Sequence, residues 1–452
     1  MKKTKRTIDL TFGNPLVQIF LFALPLVFGT LFQQLYSFAD TVIVGRFLGV
    51  SALGAVGSTY SLHFLTLGFV QGACIGFGIP IAQSFGAKNR DDIHRYLWNG
   101  MWLCLMIALL LTAAMYFTAA PLLQLVHTPD DIFPMALTYI QIIFLGIPAS
   151  ILYNYSASVL RALGDSRHPF YFLLISSLLN ILLDYILIVH FHMSVDGAAW
   201  ATVLSQLISG LLNTWWLLSK IELIEIHRKD FALSVFHLKQ LCVIGLPMGF
   251  EYSVSAIGAV IMQNAINLLG STAVAAQTAG EKIRQMFTLP MESVGMAMAT
   301  YTGQNYGAGR VDRIKSGIKN GLLIQGIYCI FAWIVIFFFK GWFVELVLGS
   351  KSGEVPALAI QYLAIISTLF LFHGALMIFR NVLQGLGYSI QAIISGIGEL
   401  IGRSIGGWLA ISFFGYTAIC YSNPLAWALA LLYCIWMVIR ILKKIQKTEE
   451  EN

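Results

Sequence analysis

Charge is what this chain lacks. Asp, Glu, Lys and Arg make up 11% of its 452 residues, against about 25% in a typical soluble domain. That scarcity excludes a disordered chain, which needs high charge and low hydrophobicity to stay unfolded. With 58% hydrophobic residues it excludes a soluble globular protein as well. The apolar runs are long and show no alternation with a period of two, which excludes a β-barrel. Cysteine is sparse: Cys74, Cys104, Cys242, Cys329, Cys420 and Cys434 are scattered through apolar runs with no CxxC pair, so they read as small core residues. No nucleophile–base constellation appears, and His63 and His373 sit alone in apolar segments. Enzyme chemistry is therefore not expected, nor a cofactor. The chain also lacks the GxxxxGK[ST] phosphate loop, GAKNRDD at 86–92 being the nearest glycine-containing turn. Were there uphill transport, its energy would have to come from an ion gradient. The basic start MKKTKR is followed by an apolar run too long for a signal-peptide core, so no cleavable signal is expected.

What is present is apolar length. A spanning helix needs about 20 apolar residues, and on that basis twelve spans are expected, near 15–44, 52–80, 96–118, 134–160, 170–190, 197–219, 241–266, 274–300, 318–339, 356–380, 393–414 and 421–441. The expected class is an all-α polytopic membrane protein. With the N-terminus inside, 22 of the 28 Lys and Arg fall on the inner side, Arg380 among them. Arg46, Lys340 and Lys351 lie outside, and Lys282, Arg284 and Arg403 lie within spans. The positive-inside rule thus puts both termini in the cytoplasm and explains the net charge of +6 without nucleic acid. Short loops and composition point to a bacterial plasma membrane, with membrane lipids as neighbours and a monomer sufficient for the architecture.

The chain repeats itself. AQSFGAKNRDDI at 82–93 aligns with GQNYGAGRVDRI at 303–314, LRALGDS at 160–166 with LQGLGYS at 383–389, and Leu24-Pro25 with Leu246-Pro247, always at shifts of 221 to 223 residues. This predicts an N-terminal lobe of six spans over 1–218, a cytoplasmic linker over 219–240 and a C-terminal lobe of six spans over 241–452. Six is even, so the halves enter the membrane from the same side as parallel repeats, an architecture typical of transporters that rock around a central cleft.

These segments in this order resemble the MATE family of multidrug and toxic compound extrusion antiporters. The residues that carry the resemblance are LPLVFGTLFQQLYSFADTVIVG in the first span, QSFGAKNRDD, LRALGDSRHP, NILLDYILI with DGAAWATVLSQ, and GQNYGAG. The resemblance covers nearly the whole chain. It implies twelve helices in two lobes around a V-shaped cleft, and export of amphipathic, often cationic, small molecules in exchange for sodium or protons.

Within NILLDYILIV at 180–189 an amide and a carboxylate interrupt an apolar run. Asn180 and Asp184 are four apart and share a helix face. An ionised carboxylate in a bilayer costs at least ~2.5–3.5 kcal/mol, so it should face protein or water. Asp40 in span one and Thr202 in span six, with Ala198 one turn earlier, lie at a similar depth of ~8–9 Å from the outer ends of their spans at ~1.5 Å per residue. Two carboxylates, an amide oxygen, a hydroxyl and a backbone carbonyl make a plausible cage for a hard cation. In sodium-binding members of the family the site resembles this set: the Asp40, Asn180, Asp184 and Thr202 side chains with the Ala198 carbonyl. The alternative is a polar clamp between helices. A carboxylate pair in a dry cleft can equally hold a proton, so sodium and proton both stay open. Pro25 and Gly29 offer span one a bending point.

The repeat shift places Arg403, Gly407 and Met262 where the first half has Asn180, Asp184 and Asp40, which assigns ion coupling to the first half. The second half has Glu251, Glu281, Lys282, Arg284, Glu292, Glu399 and Arg403 in or near apolar spans. Glu399 with Arg403 and Glu281 with Arg284 have the spacing of helical ion pairs. Glu251 and Glu281 are alternatively attractors of a cationic substrate. In some branches of the family a glutamate of span seven is needed for transport, which Glu251 in LPMGFEYSV matches loosely. Tyr36, Phe64, Tyr139, Tyr153, Met262 and Met286 are candidate linings for an amphipathic cation, since aromatic and methionine faces stack and adapt. A lipid-linked precursor flippase of the same superfamily is the alternative function, and a non-transporting membrane scaffold a second.

Overall fold

A computed structural model describes residues 8–221, 231–350 and 352–451. The basic N-terminus, the middle of the expected linker and Lys351 lie outside the described residues. Those that are described form helices and short connections, with no strand among them.

Fifteen helices follow one another: α1 Pro15–Phe47, α2 Val50–Ser58, α3 Tyr60–Gly86, α4 Arg90–Leu125, α5 Phe133–Leu145, α6 Ile147–Ala162, α7 Arg167–Tyr185, α8 Val195–Lys220, α9 Val235–Leu268, α10 Ser271–Gly307, α11 Val311–Leu348, α12 Glu354–Thr368, α13 Phe370–Gly385, α14 Ser389–Leu409 and α15 Tyr416–Glu451. Each expected span coincides with one helix or with two in succession, span two being α2 and α3, interrupted at Thr59. Span four is α5 and α6, bent by 44°, and span ten is α12 and α13, bent by 50°. Among the described residues eight helices are long and apolar enough to cross a membrane, or ten if each bent pair is one span. The expected spans eight and eleven, α10 and α14, fall short of that measure for visible reasons. α10 carries Glu281, Lys282, Arg284 and Glu292, and α14 carries Glu399 and Arg403 among five glycines.

The repeat extends to the backbone. Gly49 and Gly270, 221 residues apart, hold φ of 88° and 96° at the starts of α2 and α10. Gly164 and Gly387 hold 89° and 86°, and Lys88 and Gly309 hold 59° and 67°. α7 and α14 each widen at the C-terminal end into a π-helical turn, Ile186–His190 and Ala410–Phe414.

The chain divides into two compact units. Unit 1 comprises Met1–Asp9 and Phe28–Gly249; unit 2 comprises Leu10–Val27 and Phe250–Asn452. Of the three boundaries, the second and third fall inside a helix, α1 and α9, two residues past the repeat-related prolines Pro25 and Pro247.

In unit 1 the motif LGDS works as a joint. Ile8 donates its backbone N–H to the Gly164 carbonyl at 3.0 Å, and a Cβ on Gly164 would lie 2.1 Å from the Ile8 carbonyl oxygen. Asp165 accepts the backbone N–H groups of Arg167 and His168 at 3.2 and 3.1 Å, satisfying donors left free at the start of α7. Asn89 caps α4 in the same way through the Asp92 N–H. Helix contacts run through small residues: a Cβ on Gly78 would meet the Ser158 hydroxyl at 2.4 Å, and one on Gly210 the backbone of Tyr153 at 2.9 Å.

In unit 2 the motif GQNYGAGR serves a comparable purpose. Gln304 and Asn305 bond the backbone of Leu10, while Arg310 and Arg313 donate to the carbonyls of Thr11, Gly13 and Leu10. α14 and α15 close on a glycine ladder, GxxxGxxxG, the spacing that lets membrane helices approach. A Cβ on Gly402 would lie 2.5 Å from Cα of Ala426, and one on Gly406 2.1 Å from the Ser422 hydroxyl. Gly326 on α11 faces open space within 4 Å. Gly402→Ala is therefore expected to destabilise by roughly 1–3 kcal/mol through overpacking, whereas Gly326→Ala should stabilise by roughly 0.4–1 kcal/mol. Thermal unfolding in detergent reads both, and equal shifts of the same sign would contradict the ladder.

Candidate functional site

The carboxylates expected to act together do meet, inside unit 1. Asp184 of α7 is fully enclosed at 0% exposure and Asn180 is 1% exposed, while Asp40 of α1 is half-buried. The carboxyl groups of Asp40 and Asp184 lie within direct interaction range of each other. The Tyr36 hydroxyl on α1 and the Tyr139 hydroxyl on α5 both stand in the field of the pair, and Tyr36 also has Gln33 and Tyr153 as neighbours. Local sequence explains the arrangement. Asp184 and Asn180 fall on one α7 stripe, and the π-helical turn that widens the helix begins at Ile186, two residues later. Gly29 lets α1 come close to α7, since a Cβ there would sit 3.3 Å from the Leu173 side chain. Gly29 is thus a point of close approach as well as the expected hinge partner of Pro25, which lies within a continuous α1.

α7 and α8 run antiparallel, in a register fixed by His168 stacked on Trp216 with centroids 3.8 Å apart. This brings the level of Asp184 to that of Thr202, to within a turn. Ala198 is 0% exposed, Thr202 is half-buried, and the Thr202 carbonyl accepts the Ser205 hydroxyl at 2.9 Å.

The polar atoms here have no protein partner. Asp40 Oδ1, both Asp184 oxygens and both side-chain polar atoms of Asn180 are buried without a hydrogen bond. Buried polar atoms are normally satisfied, so a set of orphaned oxygens marks a place built for a guest. Among the described residues no three His, Cys, Asp or Glu side chains converge as a metal centre. Two carboxylates with neutral oxygens are instead a donor set suited to one monovalent cation or a proton. A cavity of about 20 Å³ reaches Asn180, one turn from Asp184, and is lined also by Gln33, Tyr36, Tyr153, Ser209 and neighbouring residues of α7 and α8.

The remaining candidates, Phe64 of unit 1 apart, lie in unit 2 and do not form a second cage. Glu281 is held by Arg284 at 2.6 Å, by the Tyr362 hydroxyl at 2.6 Å, and by Gln277 and Asn423. Glu251 accepts from Gln384 at 2.8 Å and pairs with Arg380 at 3.4 Å. Arg380 also pairs with Glu399, which pairs with Arg403 at 3.2 Å. Both helical ion pairs expected from spacing are present. Arg380, counted above with the inner-side residues, is 6% exposed and central to the network. Nothing local in the sequence pairs it with Glu251 or Glu399, which lie far away along the chain. Met262 is buried at 6% exposure, Met286 is 56% exposed, and Phe64 stacks beside Tyr60 at 6.3 Å.

Comparison with known proteins closes the assignment. The family model MatE matches twice, over residues 25–186 and 247–406, which begin at the repeat-related Pro25 and Pro247. The chain is 28% identical over 391 residues to the probable multidrug resistance protein YpnP of Bacillus subtilis, covering 86% of each. It is 26% identical over 422 residues to the probable multidrug resistance protein YoeA of the same organism, covering 91% of each. It shares the fold of a crystallised MATE in complex with MaL6, with a TM-score of 0.92 at 22% identity over 98% of this chain and 100% of that one. With the family model matching both halves of the chain, this protein belongs to the MatE family.

Proposed function

We propose that the protein is an antiporter that exports amphipathic, cationic drugs or metabolites by alternating access, driven by inward flow of sodium or protons through the Asp40–Asp184 site. The observation that carries this reading is the enclosed Asp184 beside the half-buried Asp40, with the orphaned oxygens of both and the amide of Asn180. The names of the relatives as multidrug resistance proteins support export of drugs. We place it in a bacterial plasma membrane, with both termini cytoplasmic, as a monomer.

The physical coupling is electrostatic. Two ionised carboxylates at about 4 Å repel by about 4 kcal/mol at an effective dielectric constant of 20, a bias of about a thousandfold in a two-state equilibrium. A sodium ion held by Asp40, Asp184, Asn180 and Thr202 with the Ala198 carbonyl, or a proton on one carboxyl, removes that repulsion. The Phe28–Phe47 part of α1 then closes on α7 and α8 and shuts the substrate space of the N-terminal lobe, expelling substrate. Loss of the ion restores the repulsion and lets the cavity open for the next molecule. Ion and substrate thus favour different states of one element, which is the requirement for coupling. In unit 2, Glu251 and Glu281 serve as partners of Arg380 and Arg284 rather than as attractors of the substrate, and Met262 and Met286 offer it apolar contacts.

Proteoliposomes loaded with ethidium test this under an imposed inward sodium gradient and, separately, an inward proton gradient. One gradient is expected to accelerate efflux and to identify the ion. Efflux indifferent to both gradients would overturn the antiporter and favour a flippase.

A further inference from the structure

The ion pairs of unit 2 leave one glutamate over. Arg284 is held by Glu281, Arg380 by Glu251 and Glu399, and Arg403 by Glu399. Glu292 of α10 lies in the field of Arg284, Arg380 and Glu399, yet among the described residues it makes no hydrogen bond or ion pair. Its side chain is exposed. On a membrane helix an exposed residue meets either lipid or water, and the pattern along the helix decides which. Thr278, Lys282, Gln285 and Glu292 are all exposed and follow one another at spacings of four, three and seven residues, so they form one stripe. α11 of the same unit shows the opposite pattern. Its exposed stripe, Ile327, Phe331, Ile334 and Phe338, is wholly apolar, as a surface against acyl chains should be. An ammonium and a carboxylate facing lipid would be costly, so the α10 stripe faces water. Lys282 does not neutralise Glu292, because ten residues at ~1.5 Å each exceed a Debye length of ~8–10 Å. Leu289 and Met296, three residues before Glu292 and four after it, are half-buried on the same stripe. The carboxylate thus stands between a branched alkyl side chain and a thioether.

We propose that Glu292 binds the positive charge of the exported molecule, with Leu289 and Met296 against its apolar body. This deepens the reading of the protein as an exporter of amphipathic cations, and rests on it. A single carboxylate framed by apolar side chains is the arrangement that small-molecule sites use, a few polar groups fixing orientation and apolar walls supplying contact, and methionine adapts to ligands of different shape. The ligand class is an organic cation with one localised charge and an apolar body. Glu251 and Glu281 are unsuited to the task, because their charges are already met by arginine. Glu292 has no such partner to give up when the substrate arrives or to regain when it leaves.

Ethidium binding to the full chain in detergent, at fixed pH and sodium, tests this with two variants. Glu292→Gln keeps the shape and removes the charge; Glu292→Asp keeps the charge and shortens the arm. The first is expected to weaken ethidium binding about tenfold, equivalent to about 1.4 kcal/mol, and the second by no more than about threefold, about 0.7 kcal/mol on the same scale. The unfolding temperature of Glu292→Gln should match that of the wild type, since no protein partner is lost. Equal losses of affinity in both variants, or a lowered unfolding temperature in Glu292→Gln, would mark a structural side chain and overturn the proposal. So would a Glu292→Gln variant that binds ethidium as tightly as the wild type. In that event the exporter reading still stands if wild-type proteoliposomes expel ethidium under an inward sodium or proton gradient. If the wild type neither binds nor expels ethidium, both fall.

Discussion

Asp184→Asn is expected to abolish gradient-driven export and, at the same time, to make the protein more stable. Asp184 is completely enclosed and neither of its oxygens has a protein hydrogen bond. A carboxylate held in that way beside a second one is a standing cost to the fold, because burial of an uncompensated charge is unfavourable. Asparagine keeps the shape, removes the charge and cancels the repulsion from Asp40. The loss of about 3–4 kcal/mol of coupling corresponds to a drop of roughly 100- to 1000-fold in driven efflux. The gain in stability should be about 1–2 kcal/mol, as found when strained functional groups are relaxed. Efflux and thermal unfolding of the same preparation report both effects. A variant that loses transport because it has lost stability would contradict this account and favour the polar-clamp reading of Asn180 and Asp184.

Arg380→Met should have the opposite character: a large loss of stability that has nothing to do with the carboxylate pair. Arg380 is 6% exposed and neutralises both Glu251 and Glu399, while its Nε donates to the Ser395 hydroxyl at 3.0 Å. The network it anchors balances three glutamates, Glu251, Glu281 and Glu399, against three arginines, Arg284, Arg380 and Arg403, with Asn423 joining Arg403 to Glu281. Removing one partner of a buried pair leaves an uncompensated charge, at a cost of about 3–5 kcal/mol. The double variant Arg380→Met/Glu251→Gln restores the balance and should recover at least half of that loss, a coupling of the size seen between contacting groups. Chemical denaturation of the wild type, both single variants and the double variant closes the cycle. Additive losses would mean that Arg380 acts alone.

The contrast between these two sites follows how far each was legible in the sequence. Asn180 and Asp184 announce themselves because four residues make one turn, and a carboxylate in an apolar run has few bland explanations. Glu399 with Arg403 and Glu281 with Arg284 are legible for the same local reason. Arg380 is not, because its partners are 19 and 129 residues away, and the positive-inside rule alone counted it with the inner-side charges. The repeat was legible as matched motifs, and its backbone signature, paired glycines with positive φ at Gly49 and Gly270, follows from it. The bend at Leu369 has no Gly or Pro beside it to announce it, whereas the one at Gly146 has Gly146 and Pro148, a break signal that an apolar-length count passes over. α10 and α14 show the limit of hydropathy itself: where a helix meets its neighbours through charge or glycine, apolar length no longer measures it.

The central claim is that ion and substrate are coupled through Asp40 and Asp184. Linkage makes that claim measurable at equilibrium, since an ion that weakens substrate binding must itself be weakened by substrate to the same degree. The most direct test is ethidium affinity in detergent, titrated against pH and against sodium, for the wild type and for Asp40→Asn/Asp184→Asn. The account predicts that affinity falls as protons or sodium are added to the wild type, and that it stays constant in the double variant. An affinity that is constant in the wild type, or that still responds to the ion in the double variant, would contradict it.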